Sequence, residues 1–311
     1  MIFSVYLIYI KLITINNNMP LTKPLRDRIL VLKREFDDLS KGKESLLKIL
    51  EETEIPENVY NSNAIENSTL TLQETEKILL DMEISRDISL REVFEAKNLA
   101  KVIEYLHHKG MSIKIDKDLI LLLHKMLIGN IDDNIAGRFR STGEYVRVGY
   151  HIAPGPEKID SMIDSILSEY MNDSYFIDKI AKFHLAFETI HPFNDGNGRI
   201  GRVLICFQLL QLGYPMVVIR DKNKKEYYKS FGEYKDKKDT KTMEKIIYLA
   251  LAESLHKRLT YLKGEEVITL PEYIKMNKYS PSVVGNAAKK QTIPAFREKG
   301  IWKISKNFKY R

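Results

Sequence analysis

The stretch His191-Pro192-Phe193-Asn194-Asp195-Gly196-Asn197-Gly198-Arg199, followed by Ile200, Gly201 and Arg202, gathers most of what an anionic ligand needs. Gly196 and Gly198 let the backbone take unusual torsions and come close to a ligand. They precede a helix-forming run, where free N–H groups and the helix dipole attract anions. Arg199 and Arg202 add planar cationic forks that match phosphate. Asp195 is a hard oxygen ligand suited to Mg²⁺ that also touches phosphate. His191 is the only side chain of the loop able to act as a base near neutral pH, and Asn197 offers an amide to an oxyanion. These types at this spacing predict a Mg²⁺–phosphate cradle with a built-in base. A chance turn beside a lone histidine is the bland alternative, and the density of matching residues argues against it.

Helices must hold this loop. His191 and Pro192 end a helix expected over Ile177–Ile190, because the residue before a proline avoids the helical region. A second helix is expected from about Arg199 to Leu212, with Gly213 as its stop. Upstream, apolar periodicity predicts helices over Arg26–Ser45, from Pro56 towards Ala64, and over Leu72–Glu83, Ser89–His107, Asp116–Gly129 and Ile159–Met171. Downstream it predicts Tyr227–Tyr234 and Met243–Leu262. Residues 137–152 differ: Val146, Val148 and Tyr150 alternate with polar or small residues after a Thr142-Gly143 turn, which reads as a short hairpin. Beyond Gly264, two short helices (Leu270–Met276 and Ser282–Lys289) and a strand at Trp302–Ile304 fit a small helix-turn-helix or winged-helix unit. No internal repeat is visible. The expected fold class is mainly α: a helical bundle with a β-hairpin flap and a small winged-helix-like C-terminal domain.

Composition narrows the setting. With 44% hydrophobic and 29% charged residues over 311 positions, the chain reads as a soluble globular protein. Its single cysteine, Cys206, excludes an intramolecular disulfide and a cysteine-based zinc cluster. A cytoplasmic location is the expectation. Cys206 lies among Val203, Leu204, Ile205 and Phe207 and reads as a small buried hydrophobe. Ile2–Ile15 is an apolar run too short for a membrane helix and unlike a signal peptide. The preferred expectation is translation from Met19 with a poorly ordered leader over 1–18; a short strand or weak membrane contact is the alternative. The net charge of +7 sits in the tail, since residues 263–311 hold eleven Lys or Arg against four Asp or Glu. That asymmetry hints at a nucleic-acid or acidic partner for the tail.

The loop matches the signature of the Fic family, H-x-F-x-(D/E)-G-N-G-R-x-x-R, and the resemblance extends over about Leu70–Leu251, including GRFR at 137–140, VRVG at 146–149 and the Tyr227-Tyr228 pair. Fic proteins are helical AMP-transferases, a minority moving other phosphate-containing groups. The resemblance implies that His191 is the base that deprotonates a target hydroxyl and that Asp195 holds Mg²⁺. It implies that Gly196, Asn197, Gly198 and Arg199, with Ile200 and Gly201 in the same motif, bind the α- and β-phosphates of ATP. Arg202 would meet the γ-phosphate. Val146, Arg147, Val148 and Gly149 would form a flap that lies over the nucleotide and aligns a target protein by strand addition. Tyr227 would contact the adenosine side. Family members often carry an asparagine eight residues after the first of the paired tyrosines; Lys235 stands there instead.

Residues 62–67 read SNAIEN, with Ser62 and Glu66 one helical turn apart. Alone, Glu66 reads as a solvent-facing residue near a helix end. The resemblance implies more, because many Fic proteins carry an inhibitory helix with the pattern (S/T)-x-x-x-E-(G/N), and its position upstream of the loop is similar to the class II group. Glu66 would then pair with Arg202 and fill the γ-phosphate seat. The implied organisation is a leader over 1–18, an N-terminal helical region over 19–112 with the inhibitory helix around 57–67, a Fic domain over 113–255 and the tail module over 264–311. His184 is expected to be packed or capping, and no metal ligand. His107 and His108 suit a helix C-terminus. Lys222–Lys225 is expected to be a solvated loop.

Two functions compete. One is a protein adenylyltransferase that moves AMP from ATP to a Ser, Thr or Tyr hydroxyl of a target protein, with self-modification and AMP removal as further activities of the same site. The other is a nucleotide-sensing, DNA-binding regulator whose tail helix, with Asn286, Lys289 and Lys290, enters a major groove. A packing or homodimerisation module is the other reading of that tail. His191 discriminates between the two functions, because a pure sensor needs no base there.

Overall fold

The computed structural model describes residues 21–84, 87–109, 112–149, 151–172 and 174–310. The expectations for residues 1–18, for Met19 and for Tyr150 fall outside them. The described chain is mainly helical with two small antiparallel sheets. Its described residues divide into two compact units, one drawn from within 1–52 and 248–311, the other from within 53–247. Among the described residues, no helix is long and apolar enough to cross a membrane.

The larger unit carries the loop. Its first helical segment is the second half of α2 (Glu44–Ile65), which contains Pro56 in its interior. Pro56 was expected to open a helix. Instead the helix runs through it, although proline has no N–H to give the ladder. Next come α3 (Leu72–Glu76), opened by a Thr71–Glu74 capping box, and a π-helical turn over Lys77–Asp81. Helix α4 (Leu90–Lys109) and α5 (Lys117–Ile128) follow, the latter capped by the Asp116 carboxylate, which accepts the Leu119 N–H at 2.8 Å.

Strands β1 (Arg147–Val148) and β2 (His151–Ile152) form the hairpin, with Arg147 opposite Ile152 and Val148 opposite His151. The paired part thus starts one residue after Val146 and leaves Gly149 in the turn, with φ of 57°. Helices α6 (Ile159–Tyr170), α7 (Phe176–Ile190), α8 (Asn197–Gln211) and α9 (Lys224–Lys237) complete the set. Nearly every residue of α8 from Asn197 to Leu209 is buried. A helix buried on all faces belongs at the centre of its bundle, and α7, α4 and α5 pack against it. Cys206 is buried within it, as expected.

The smaller unit contains α1 (Lys23–Ser40), whose buried Leu25, Ile29, Leu32 and Phe36 form one stripe. It also contains the second half of α10 (Lys241–Leu262) and the tail. The tail runs β3 (Val267–Thr269), α11 (Leu270–Asn277), α12 (Pro281–Lys289), β4 (Phe296–Glu298) and β5 (Ile301–Ser305), with sheet order β3-β5-β4. Leu270, Tyr273, Val284, Ala288, Ile293 and Ile304 are among its core residues. The β4–β5 turn uses two positive-φ residues, Lys299 and Gly300, as a tight hairpin requires.

Candidate active site

Helix α7 ends at Ile190, and His191 takes the left-handed conformation, φ 49° and ψ 62°. That conformation is costly for a residue with a Cβ and persists only where surroundings impose it. Arg140 imposes it here. It is 3% exposed. Its guanidinium donates to four carbonyls: His191 at 2.8 Å, Glu144 at 2.8 Å, Pro154 at 2.9 Å and Ile190 at 3.3 Å. Its own N–H donates to the Pro192 carbonyl at 2.9 Å. The end of α7, which would otherwise leave carbonyls unpaired, is thus held by one buried cation. Burial lowers the His191 pKa to about 4, opposed by a hydrogen bond to the Glu188 carbonyl. The imidazole is neutral at pH 7 and able to accept a proton.

His124 braces the next part of the loop. Its ring stacks on Phe193 at 3.6 Å between centroids and 5° between planes. The Gly137 N–H donates to Nδ1 at 3.0 Å, which leaves Nε2 as the protonated nitrogen, 3.1 Å from the Asp195 carbonyl. Burial lowers this histidine also to about 4, which suits the neutral ring that the two contacts need. Asn197 closes the turn from the other side. Its Oδ1 accepts the Phe193 N–H at 2.9 Å and its Nδ2 donates to the Phe193 carbonyl at 2.8 Å. This corrects the sequence reading. The Asn197 amide oxygen and one of its N–H groups are engaged inside the loop, and its backbone N–H stands at the start of α8.

The carboxylate of Glu66 lies where the anion is expected. Its Oε1 is 2.9 Å from Arg202 Nη1. A Cβ on Gly198 would stand 2.2 Å from the same oxygen, so only glycine admits the carboxylate to the start of α8. Arg202 is 4% exposed against 36% for Glu66. Arg202 also donates from Nε to Ser62 Oγ at 2.9 Å, from Nη2 to the Ser62 carbonyl at 2.8 Å and from Nη1 to Tyr227 OH at 3.2 Å. Ser62 and Glu66, one turn apart, therefore grip one guanidinium. The end of this helix is capped by Lys224, whose Nζ reaches the Ala64 carbonyl at 3.2 Å and Asn67 Oδ1 at 2.7 Å. Lys224 was expected in a solvated loop. It starts α9 instead and supplies the cation that orphan C-terminal carbonyls attract.

A cleft of about 450 Å³ is lined by Glu66, Arg91, Glu95, His191, Asp195 and Arg199, together with Asn63, Gly196, Asn197 and Gly198. Ile200 and Gly201 point away from it: Ile200 is in the core, and a Cβ on Gly201 would meet Glu188 and His184. Tyr227 does not line it either. At 1% exposure it stands behind Arg202, its hydroxyl 2.8 Å from His184 Nε2. The adenosine contact expected of Tyr227 is replaced here by support of Arg202. His184 is packed, as expected, and burial pushes it down to about 3. Glu188, beside this group, is pushed up to about 8 by burial and then by the Glu66 charge. The hairpin is tied to the site through His151, whose Nε2 lies 2.8 Å from the Thr189 carbonyl. Val146 accepts the Ala153 N–H at 3.0 Å, and Val148 and Ile152 are exposed.

Asp195 is held by three groups. Its Oδ1 accepts the Gly196 N–H at 2.5 Å and lies 3.1 Å from Arg199 Nη2, and its Oδ2 pairs with Arg91. Neither Arg91 nor Glu95 was singled out in the sequence, where i,i+4 charges on a helix read as a solvated face. Among the described residues, no group of three or more His, Cys, Asp or Glu could hold a metal. A single carboxylate nonetheless fits Mg²⁺, which keeps waters and takes its other ligands from phosphates.

Comparison with known proteins agrees with this geometry. A family model described as Fic/DOC family matches residues 114–209. The chain is 33% identical over 185 residues to a protein adenylyltransferase Fic of Nematostella vectensis, covering 57% of this chain and 42% of that protein. It resembles the crystal structure of a Fic domain containing signaling protein from Bacteroides thetaiotaomicron, with TM-score 0.69 and 25% identity, over 76% of this chain and 97% of that one. The fold also resembles Fic-1 from C. elegans, with TM-score 0.66 and 25% identity, over 77% and 73% of the two chains. Residues 114–209 thus match the Fic/DOC family, and the fold around them resembles that of Fic proteins. The chain spans less than half the length of the curated relative from Nematostella.

Proposed function

We propose that this protein is an adenylyltransferase that moves AMP from ATP to a Ser, Thr or Tyr hydroxyl of a target protein, and that Glu66 holds it off. The observation that carries the reading is the position of the Glu66 carboxylate, at the start of α8 and on Arg202, where a phosphate would lie. A second supports it: Arg199 Nε is buried with no hydrogen-bond partner among the described residues, as a donor awaiting an anion would be. Similarity to proteins named protein adenylyltransferase favours this function over a DNA-binding regulator.

In the mechanism, the target hydroxyl gives its proton to neutral His191 and its oxygen attacks the α-phosphorus in line. The bond to the bridging oxygen breaks, and pyrophosphate leaves. The backbone N–H groups of Asn197 and Gly198 and the guanidiniums of Arg199 and Arg202 hold the phosphates, and positioning and charge neutralisation dominate such transfers. Mg²⁺ on Asp195, when bound, would neutralise phosphate charge. The hairpin from Val146 to Gly149 aligns the target chain by strand addition. Self-modification and AMP removal belong to the same proposal, as does the class II assignment, while homodimerisation and DNA contact stand as alternative readings of the tail. The test is incubation of the Glu66→Gly protein with α-labelled ATP and a cell lysate, followed by mass spectrometry. AMP-bearing peptides are expected, and their absence refutes the reading.

A further inference from the structure

Two arginines and two carboxylates form a closed ring at one wall of the cleft. Arg91 pairs with Asp195 Oδ2 and, through Nε, with Glu95 Oε1 at 3.1 Å. Arg199 pairs with Asp195 Oδ1 at 3.1 Å and with Glu95 Oε1 at 3.2 Å. The two arginines are not equivalent. Arg199 is 4% exposed, whereas Arg91 is 55% exposed on the rim. The two oxygens of Asp195 are not equivalent either. Oδ1 is fixed by Gly196 N–H and Arg199, and the partner of Oδ2 is a side chain that solvent reaches.

We infer that Arg91 is a placeholder for the divalent cation: its guanidinium occupies Asp195 Oδ2, and the cation that accompanies a nucleoside polyphosphate must displace it. The exchange is local. Arg91 keeps Glu95, its i,i+4 neighbour on α4, while Arg199 keeps both carboxylates in place. Only one ion pair breaks, and the metal inherits an oxygen already aimed at the cleft. Arg91 is thereby a specificity-determining residue that sets how much divalent cation the site requires. The neutral ring also keeps Asp195 from standing uncompensated when no metal is bound. This inference rests on the nucleotide-site reading above.

The test needs no turnover. Mn²⁺ binding is measured by water-proton relaxation enhancement, which separates Mn²⁺ on the protein complex from Mn²⁺ on free nucleotide, with a non-hydrolysable ATP analogue held saturating. Arg91→Gln is expected to bind Mn²⁺ about fivefold more tightly than wild type, the upper range for a solvent-exposed charge pair. Arg91→Lys, which keeps the charge, is expected to stay near wild type. Equal or weaker Mn²⁺ binding by Arg91→Gln overturns the role of Arg91 alone. No Mn²⁺ on either protein, with the analogue saturating, overturns both this inference and the nucleotide-site reading.

Discussion

Removing the Glu66 carboxylate frees the seat it occupies, and the size of the gain follows from its contacts. Glu66 Oε1 lies 2.9 Å from Arg202 Nη1, but the side chain is 36% exposed. Solvent therefore screens the pair, and such pairs contribute about 0.2–1 kcal/mol. The same carboxylate sits against Gly198 in the first turn of α8, where an anion gains about 0.3–2 kcal/mol. Together these oppose phosphate binding by about 0.5–3 kcal/mol, or about 2- to 150-fold. Glu66→Gly should raise the initial rate of self-labelling from α-labelled ATP by a factor in that range, at ATP below saturation. Arg202 keeps Ser62 and Tyr227 in this variant, so the fold should survive. Glu66→Gln retains the bulk against Gly198 without the charge, and an intermediate rate is expected. A Glu66→Gly rate within twofold of wild type refutes the brake, and Glu66→Gln matching wild type refutes its electrostatic part.

Other consequences are as direct. His124→Ala leaves the Gly137 N–H and the Asp195 carbonyl unpaired and opens a gap beside Phe193. It should cost about 3–5 kcal/mol, seen as a melting shift of roughly 10 °C, and a shift under roughly 2 °C contradicts the bracing role. Acid should also weaken the protein. Burial lowers His124 and His191 to about 4 and His184 to about 3, all below the ordinary 6.5. As pH falls from 6.5 the unfolded chain takes up protons first, so stability drops until about pH 3, with about 3 kcal/mol lost for His124 alone by about pH 4. Urea unfolding across this range checks the slope, and a flat profile contradicts it. Glu188 acts oppositely, since its folded value of about 8 exceeds the ordinary 4.5. Its contribution is full below pH 4.5 and declines as pH rises towards 8. Glu188→Gln should flatten the stability profile between those limits, and an unchanged slope refutes that assignment.

Much of this site was legible in the chain because it is local. The loop from His191 to Arg202 is one contiguous stretch, and the Ser62–Glu66 spacing is a single helical turn. The stripe of Leu25, Ile29, Leu32 and Phe36 in α1 announces its helix in the same way. What was missed depends on contacts far apart in sequence. Arg140 lies in the quoted GRFR segment, yet nothing local says that its donors serve carbonyls at Pro154, Ile190 and His191. His124 sits in an apolar helix, where a histidine reads as ordinary packing until Phe193 and Asp195 are brought against it. Asn197 was assigned to an oxyanion by its amide and Tyr227 to adenosine by the family resemblance, but the fold engages both side chains itself. Pro56 misled because proline suits the first turn of a helix, whereas here it lies in the interior of Glu44–Ile65.

The central claim is AMP transfer with His191 as the base, and one comparison tests it. Glu66→Gly protein, with and without His191→Ala, is incubated with α-labelled or γ-labelled ATP, and protein-bound label and nucleotide binding are both measured. The account predicts label on protein from the α-phosphate and none from the γ-phosphate. It also predicts that His191→Ala abolishes labelling while nucleotide binding persists. Label retained from the γ-phosphate, or undiminished α-labelling without His191, would contradict it.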